Sequence, residues 1–367
     1  MPKRFLIIFL LAACATICFA GSRPQPPQPT LTQQNSGTTQ LLIAVSPVNS
    51  QVVWAAGTGG TYVVTTDGGN TWTAGVVPGA EALQFRDVQG VSDKVAYLLS
   101  IGTTTTNFMI YKTVDGGATW NIEFTNESTN AFYDCFAFWG PDRGIAHSDS
   151  VHGIFPDLRT TNGITWNPIT DMPPALPGEA SFSSSGTCIT TQGEENAWIA
   201  TGGSTIARIL ATRDGGDTWN AYDTPLVSSP TAGGLSVAFR DPWHGVVGGG
   251  DLNVNDHFDM ARSSDGGQTW TRTSPPLVKG TIFGLAYVRG NSDGDAGGSP
   301  DDGLQRAVVV TAETAPNFTS GPAAWTPDEG QTWYSLPKVS GFWAVAFANP
   351  HAGWFVGNNG TILKISF

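Results

Sequence analysis

Apolar residues recur along this chain in short runs separated by turn residues. In "LSVAFRDPWHGVVGGG" (235–250) an apolar run meets a turn around Pro242 and Gly245, and a second apolar run follows. "AFYDCFAFWGPDRGIAH" (131–147) and "GFWAVAFANPHAGWFVG" (341–357) have the same layout. A third run, such as "YVVTT" before Asp67 or "MARSS" before Asp265, leads into a further turn. Runs this short, bounded by Gly, Pro, Asn and Asp, predict β-strands. After the first twenty residues no stretch carries apolar residues at helical spacing. The pattern predicts an all-β chain full of tight turns.

The further turn is nearly the same each time. It reads "TTDGGNTW" (65–72), "TVDGGATW" (113–120), "TRDGGDTW" (212–219) and "SSDGGQTW" (263–270), with worn copies "TTNGITW" (160–166) and "TPDEGQTW" (326–333). Trp72, Trp120, Trp166, Trp219, Trp270 and Trp333 lie 48, 46, 53, 51 and 63 residues apart. That period suits one four-stranded propeller blade. The first two apolar runs of each unit are the innermost strand and the next one out. Each part of the turn has a structural use. Asp67, Asp115, Asp214, Asp265 and Asp328 accept hydrogen bonds from N–H groups of the turn, the glycines permit positive φ, and each tryptophan buries a ring between blades. A catalyst is needed once and a staple once per blade, so the six copies read as staples.

After the sixth copy, "GFWAVAFANPHAGWFVGNNGTILKISF" supplies three more strands and no outer one. "TLTQQNSGTTQLLIAVS" (30–46) has the layout of an outer strand followed by an inner strand. Residues 30–36 are therefore expected to complete the C-terminal blade, giving seven blades and a closed ring without free edges.

These repeats resemble the Asp-box, or bacterial neuraminidase repeat, propellers. "GWFVGNNGTILKIS" and "VVWAAGTGGTYVVTTDGGNTW" look most like the photosystem II stability and assembly factor family. The resemblance covers roughly residues 30–367. It implies a seven-bladed, non-enzymatic, exported or lumenal propeller that assists assembly by binding another protein. An arginine-rich partner surface would also be implied, but this sequence has no arginine cluster.

Composition narrows the partners. The formal net charge is −12, with 18 Lys plus Arg against 30 Asp plus Glu. Nucleic-acid phosphates and anionic lipid both need a basic surface, so neither is an expected partner. Residues 1–20 read as a signal peptide: Lys3 and Arg4, then an apolar run from Phe5 to Ala13 that is short for a membrane span. "CFA" before Gly21 resembles a signal peptidase site, while "LAAC" (11–14) resembles a lipobox with Cys14 as the lipidated residue. Residues 21–29 form a Pro-rich linker and 30–367 a single propeller domain. Either exit predicts a bacterial protein that is periplasmic, anchored at the outer membrane, or extracellular. Beyond the leader only Cys135 and Cys188 remain. Export permits a bond between them, but two cysteines are no framework, and they read as two separately buried thiols.

Chemistry outside the turns would sit on the opposite face, where long loops are expected at 147–157, 249–260 and 313–322. The first two hold His147, His152 and His257 with Asp149, Asp251, Asp256 and Asp259, a set that could form a metal or acid–base site. Solvated polar loops are the ordinary alternative. His152, Phe155, His257 and Phe258 are the candidate partner contacts. In the insertion "NSDGDAGGSPDDG" (291–303), Asn291, Asp293, Asp295 and Asp302 mimic a calcium loop, but Ala296 stands where the sharp turn needs glycine and a final Glu is missing. No other cofactor is expected. Phe85, Phe138, Phe239 and Phe347 read as core. A sialidase-like hydrolase or glycan-binding protein is the alternative. It would need an arginine triad, and Arg86, Arg143, Arg240 and Arg289 read as lying near inner-strand ends on the repeated-turn side, away from the usual pocket. The expectation is a non-catalytic exported scaffold that binds another protein.

Overall fold

The computed structural model describes residues 28–275, 279–288, 304–315, 317–318 and 321–367, with backbone alone at 256–258. Asn291, Asp293, Asp295 and Asp302, together with Cys14 and Arg289, lie outside the described residues. Strands are numbered β1 to β28 along the chain. They form seven antiparallel sheets of four strands. The innermost strands of blades I to VII are β2 (Leu42–Pro47), β6 (Gln84–Gly90), β10 (Tyr133–Phe138), β14 (Ile189–Gln192), β18 (Ala232–Phe239), β22 (Thr281–Tyr287) and β26 (Phe342–Asn349). Each touches the next, and β26 touches β2, which closes the ring.

Closure is by mixed termini. In blade VII, β26 pairs β27 (Ala352–Gly357), β27 pairs β28 (Thr361–Ser366), and β1 (Thr30–Asn35) pairs β28 from Thr30↔Ser366 to Asn35↔Thr361. The fourth strand therefore comes from the opposite end of the chain, as the missing outer strand required.

The strands form because their apolar residues pack against the neighbouring blade. Every residue of β18 is buried. The Trp198 ring of blade IV stacks on Phe239 of blade V with centroids 3.6 Å apart, and Tyr97 of blade II stacks on Phe138 of blade III at 4.5 Å. Phe85, Phe138, Phe239 and Phe347 are all buried core. Burial of such rings, each worth roughly 1.5–3 kcal/mol, holds the blades in a ring more than propensity does.

Three expectations change. Cys135 and Cys188 are bonded to each other, with Cα atoms 6.2 Å apart. They are 53 residues apart in sequence, yet Cys135 lies on β10 and Cys188 stands just before β14, and neighbouring inner strands bring them within disulfide reach. Residues 249–260 are not a long loop. They continue β19 (Gly245–Asp251) into β20 (Val254–Ser263) through a tight turn at Leu252 and Asn253. His257 and Phe258 therefore sit on β20. Arg86 lies at the beginning of β6, on the face opposite the repeated turns. "FRD" at 85–87 imitates "FRD" at 239–241, but β6 runs on through Gly90, whereas β18 ends at Phe239.

Candidate functional site

The repeated turns all lie on one face, and their geometry accounts for each residue. In the first, Asp67 accepts the Thr71 N–H at 2.9 Å and the Thr71 and Thr65 hydroxyls at 2.6 and 2.8 Å. These donors, the Thr71 hydroxyl foremost, hold the Asp67 carboxyl down to about 2. Asp115, Asp214, Asp265 and Asp328 make the same bonds to Thr119, Thr218, Thr269 and Thr332. Asn162 keeps the turn without the charge, accepting the Ile164 and Thr165 N–H groups. Of the tryptophans, Trp166, Trp219 and Trp333 are buried, and Trp72, Trp120 and Trp270 are half-buried.

The turn also does something that its own sequence does not announce. A glycine carbonyl in it receives a hydrogen bond from the preceding blade. Lys364 donates to Gly68 at 3.0 Å, Tyr62 to Gly117 at 2.7 Å, Arg159 to Gly215 at 3.2 Å, Trp198 to Gly266 at 2.8 Å and the Ser274 N–H to Gly330 at 3.0 Å. The turns are stitches between blades as well as staples within them.

The opposite face is shaped by a segment that the sequence pattern did not single out. Between β13 (Trp166–Pro168) and β14 the chain takes a long path, and residues 181–187 cross the mouth of the central channel. The Ser183 carbonyl accepts from Arg86 of blade II at 3.0 Å. Ser185 donates to the Phe283 carbonyl of blade VI. Thr187 meets Ser236 of blade V at 2.6 Å. Gly186 has φ +73°, and a Cβ there would stand 2.4 Å from an Asp87 carboxylate oxygen, so a side chain at this crossing would be strained and would displace Asp87. Glu179, fully buried, anchors the approach through Thr201 at 2.7 Å and an ion pair with Arg208. The disulfide at Cys188 fixes the other end. Residues 181–187 therefore form a plug.

A buried polar cluster lies beneath the plug. The Asp149 carboxylate accepts the Ser181 N–H at 2.9 Å, and the buried Asp134 carboxyl lies near enough for the two to interact electrostatically. Burial, and then the neighbouring Asp149, pushes Asp134 well above the ordinary carboxylate range; burial also raises Asp149, against the opposing pull of Asp134 and the Ser181 N–H. His147 and Asp157 form a second pair, both fully buried, at 2.8 Å. His147 and Asp157 are interior while residues 152–154 are exposed, so the loop 147–157 is solvated only at its tip.

The predicted site residues are thus dispersed. His152 is exposed with φ +54°, whereas Phe155 is fully buried against His147 and the blade IV core, which removes it as a surface contact. Apolar Phe155 turned inward because the loop around it closes on itself through Val151 and Ile154. Asp251 binds Thr231 at 2.9 Å, and Asp259 binds Arg272 at 3.1 Å. Among the described residues, no group of three or more His, Cys, Asp or Glu could hold a metal ion. What surrounds the plug instead is aromatic. Trp343, Phe318 and Phe182 are half-buried there, and Phe283 underlies Phe318 at 5.4 Å and Trp343 at 5.2 Å. The Arg86 guanidinium lies 5.6 Å from the Trp343 ring. Sequence reading missed this rim because its members come from the plug, from blade VI and from blade VII.

A closed seven-bladed propeller with one face stitched by turns and the other plugged defines the structural class. Solved structures resemble the chain in fold. Two are of YCF48. One, bound to D1 peptide, has 17% identity and a TM-score of 0.61, covering 94% of this chain and 98% of that one. The other, YCF48 from Cyanidioschyzon merolae, has 16% identity and a TM-score of 0.61, covering 92% and 98%. The GH74 enzyme of Niastella koreensis has 15% identity and a TM-score of 0.60, and this chain spans 53% of that enzyme. At these identities the likeness is one of fold. The chain matches no protein-family profile and no curated protein.

Proposed function

We propose that this protein is a non-catalytic exported scaffold that binds a segment of another protein on the face opposite the repeated turns, at the aromatic rim around the plug. The observation that carries the reading is the rim itself: Trp343, Phe318 and Phe182 are held half-exposed on a rigid ring, and aromatic side chains of this kind dominate protein interfaces. The same-fold neighbour bound to a peptide adds support. A hydrolase reading draws on the GH74 likeness. Against it, glycoside hydrolysis uses two carboxyls that flank the substrate, while Asp134 is buried and Asp149 accepts the Ser181 N–H beneath the plug.

A displayed random-peptide library, panned on the purified chain, tests the reading. Enriched peptides are expected to bind at least about tenfold more weakly to Trp343→Ala and to Phe182→Ala, as for central interface aromatics. Peptides indifferent to both substitutions, or hydrolysis of a glycoside panel by the intact chain, would overturn it.

A further inference from the structure

The plug gives the central channel a floor. Below it, the channel is a cup of about 480 Å³ that opens on the repeated-turn face. This is within the size range of small-molecule pockets, about 300–1,000 Å³. It lies on the other side of the plug from the aromatic rim and is independent of it.

The walls of the cup combine polar groups with apolar surface. Each inner strand is the last in its sheet and pairs along one edge only. Its other edge, with amide N–H and carbonyl groups, faces the axis. Ala137, Ala238, Ala286 and Ala346 leave the backbone accessible, Gln89 and Gln192 add amides, and larger apolar side chains such as Phe138 and Trp139 also border the cup. Among the described residues the lining includes no Lys, Arg, His or Glu, and its one carboxyl is Asp87. Both Asp87 oxygens are taken, by the Val88 N–H at 2.8 Å and the Phe136 N–H at 2.9 Å.

These walls discriminate between ligand classes. An ion would find no opposite charge among these described residues to replace its hydration. An apolar ligand would leave a ring of backbone donors and acceptors unpaired, at about 1–3 kcal/mol for each buried group. A neutral molecule carrying several hydroxyls satisfies both kinds of group, since each hydroxyl donates and accepts. We infer that the cup binds a neutral polyhydroxylated small molecule, a sugar or cyclitol, entering from the repeated-turn face.

The test uses the full exported chain with D-glucose, D-galactose, trehalose and myo-inositol as neutral probes, and N-acetylneuraminate and inorganic phosphate as anionic ones. Binding is read by saturation-transfer NMR and calorimetry. At least one neutral probe is expected to saturate with a millimolar or tighter Kd, and neither anion to bind. Ala286→Phe, which fills the cup, is expected to weaken that probe at least about tenfold, or 1.4 kcal/mol. Gln89→Ala, which removes a wall amide without adding bulk, is expected to weaken it severalfold. Trp343→Ala, across the plug, is expected to leave it unchanged. No saturable neutral probe, equal binding of an anion, or affinity indifferent to both cup substitutions would overturn the inference. Loss of peptide binding at the rim would leave it standing.

Discussion

Glu329 occupies the position that Gly68, Gly116, Gly215 and Gly266 fill in the other turns, and it keeps their left-handed backbone at φ +55°. A side chain in that region is strained by about 1–3 kcal/mol, so something must offset it. Glu329 receives the Arg240 Nε at 2.7 Å, the Arg306 Nε at 3.1 Å and the Tyr287 hydroxyl at 3.1 Å, and it is itself buried. Arg240 follows β18 in blade V, so the carboxylate clamps blade V to blade VI. In sequence this copy looks worn; in the structure one role is exchanged for another. Glu329→Gly would relieve the strain but remove charged hydrogen bonds worth about 1.5–3 kcal/mol each. A net loss of about 1–3 kcal/mol is expected in urea unfolding, and a variant as stable as the parent would show that the clamp contributes nothing.

The plug shows why some elements could be read in the sequence and others could not. The repeated turns were legible because their requirements are local: positive φ at glycine and an Asp within reach of a Thr four residues on. Residues 181–187, "SFSSSGT", have no apolar alternation, and what orders them comes from blades II, V and VI. The disulfide and the Asp134–Asp149 pair were hidden for the same reason, because each joins separate elements. The pair has a pH signature. Folding raises both carboxyls, and Asp87 with them, chiefly by burial. The folded state thus binds more protons than the unfolded state above about pH 4, and stability falls as pH rises through the raised values. The groups facing the pair are Arg86, Asp157 and His147. The turn carboxylates act in reverse: Asp67 and its counterparts are lowered, so their contribution is lost as pH falls below about 4. The melting temperature is therefore expected to peak in the mildly acid range. In Asp134→Asn the decline from pH 5 to pH 8 should be shallower, measured by scanning calorimetry; an unchanged slope would show that the pair does not titrate as described.

At the scale of the molecule the ring was the most legible feature, because a period near 50 residues and a missing outer strand leave one closure available. β1 carries little apolar burial of its own, with only Leu31 and Gln34 partly covered. Its contribution is to cap β28, whose edge would otherwise offer unpaired N–H and C=O groups to another chain. Removing residues 28–37 is expected to lower the melting temperature and to produce concentration-dependent self-association in light scattering. A deletion variant that stays monomeric with an unaltered melt would refute the closure as a stabilising device.

That shared sheet has a directional consequence. Thr30 lies beside Ser366, and His351, in the turn between β26 and β27, contacts the Phe367 carbonyl at 2.7 Å. Both ends of the propeller thus leave from the same rim, the one bearing the repeated turns. Any tether joined ahead of Thr30 would hold the ring like a dish on a stalk, cup toward the attachment and aromatic rim outward. Fusions at either end would crowd the cup and spare the rim, so a reporter placed there would report on the two faces unequally.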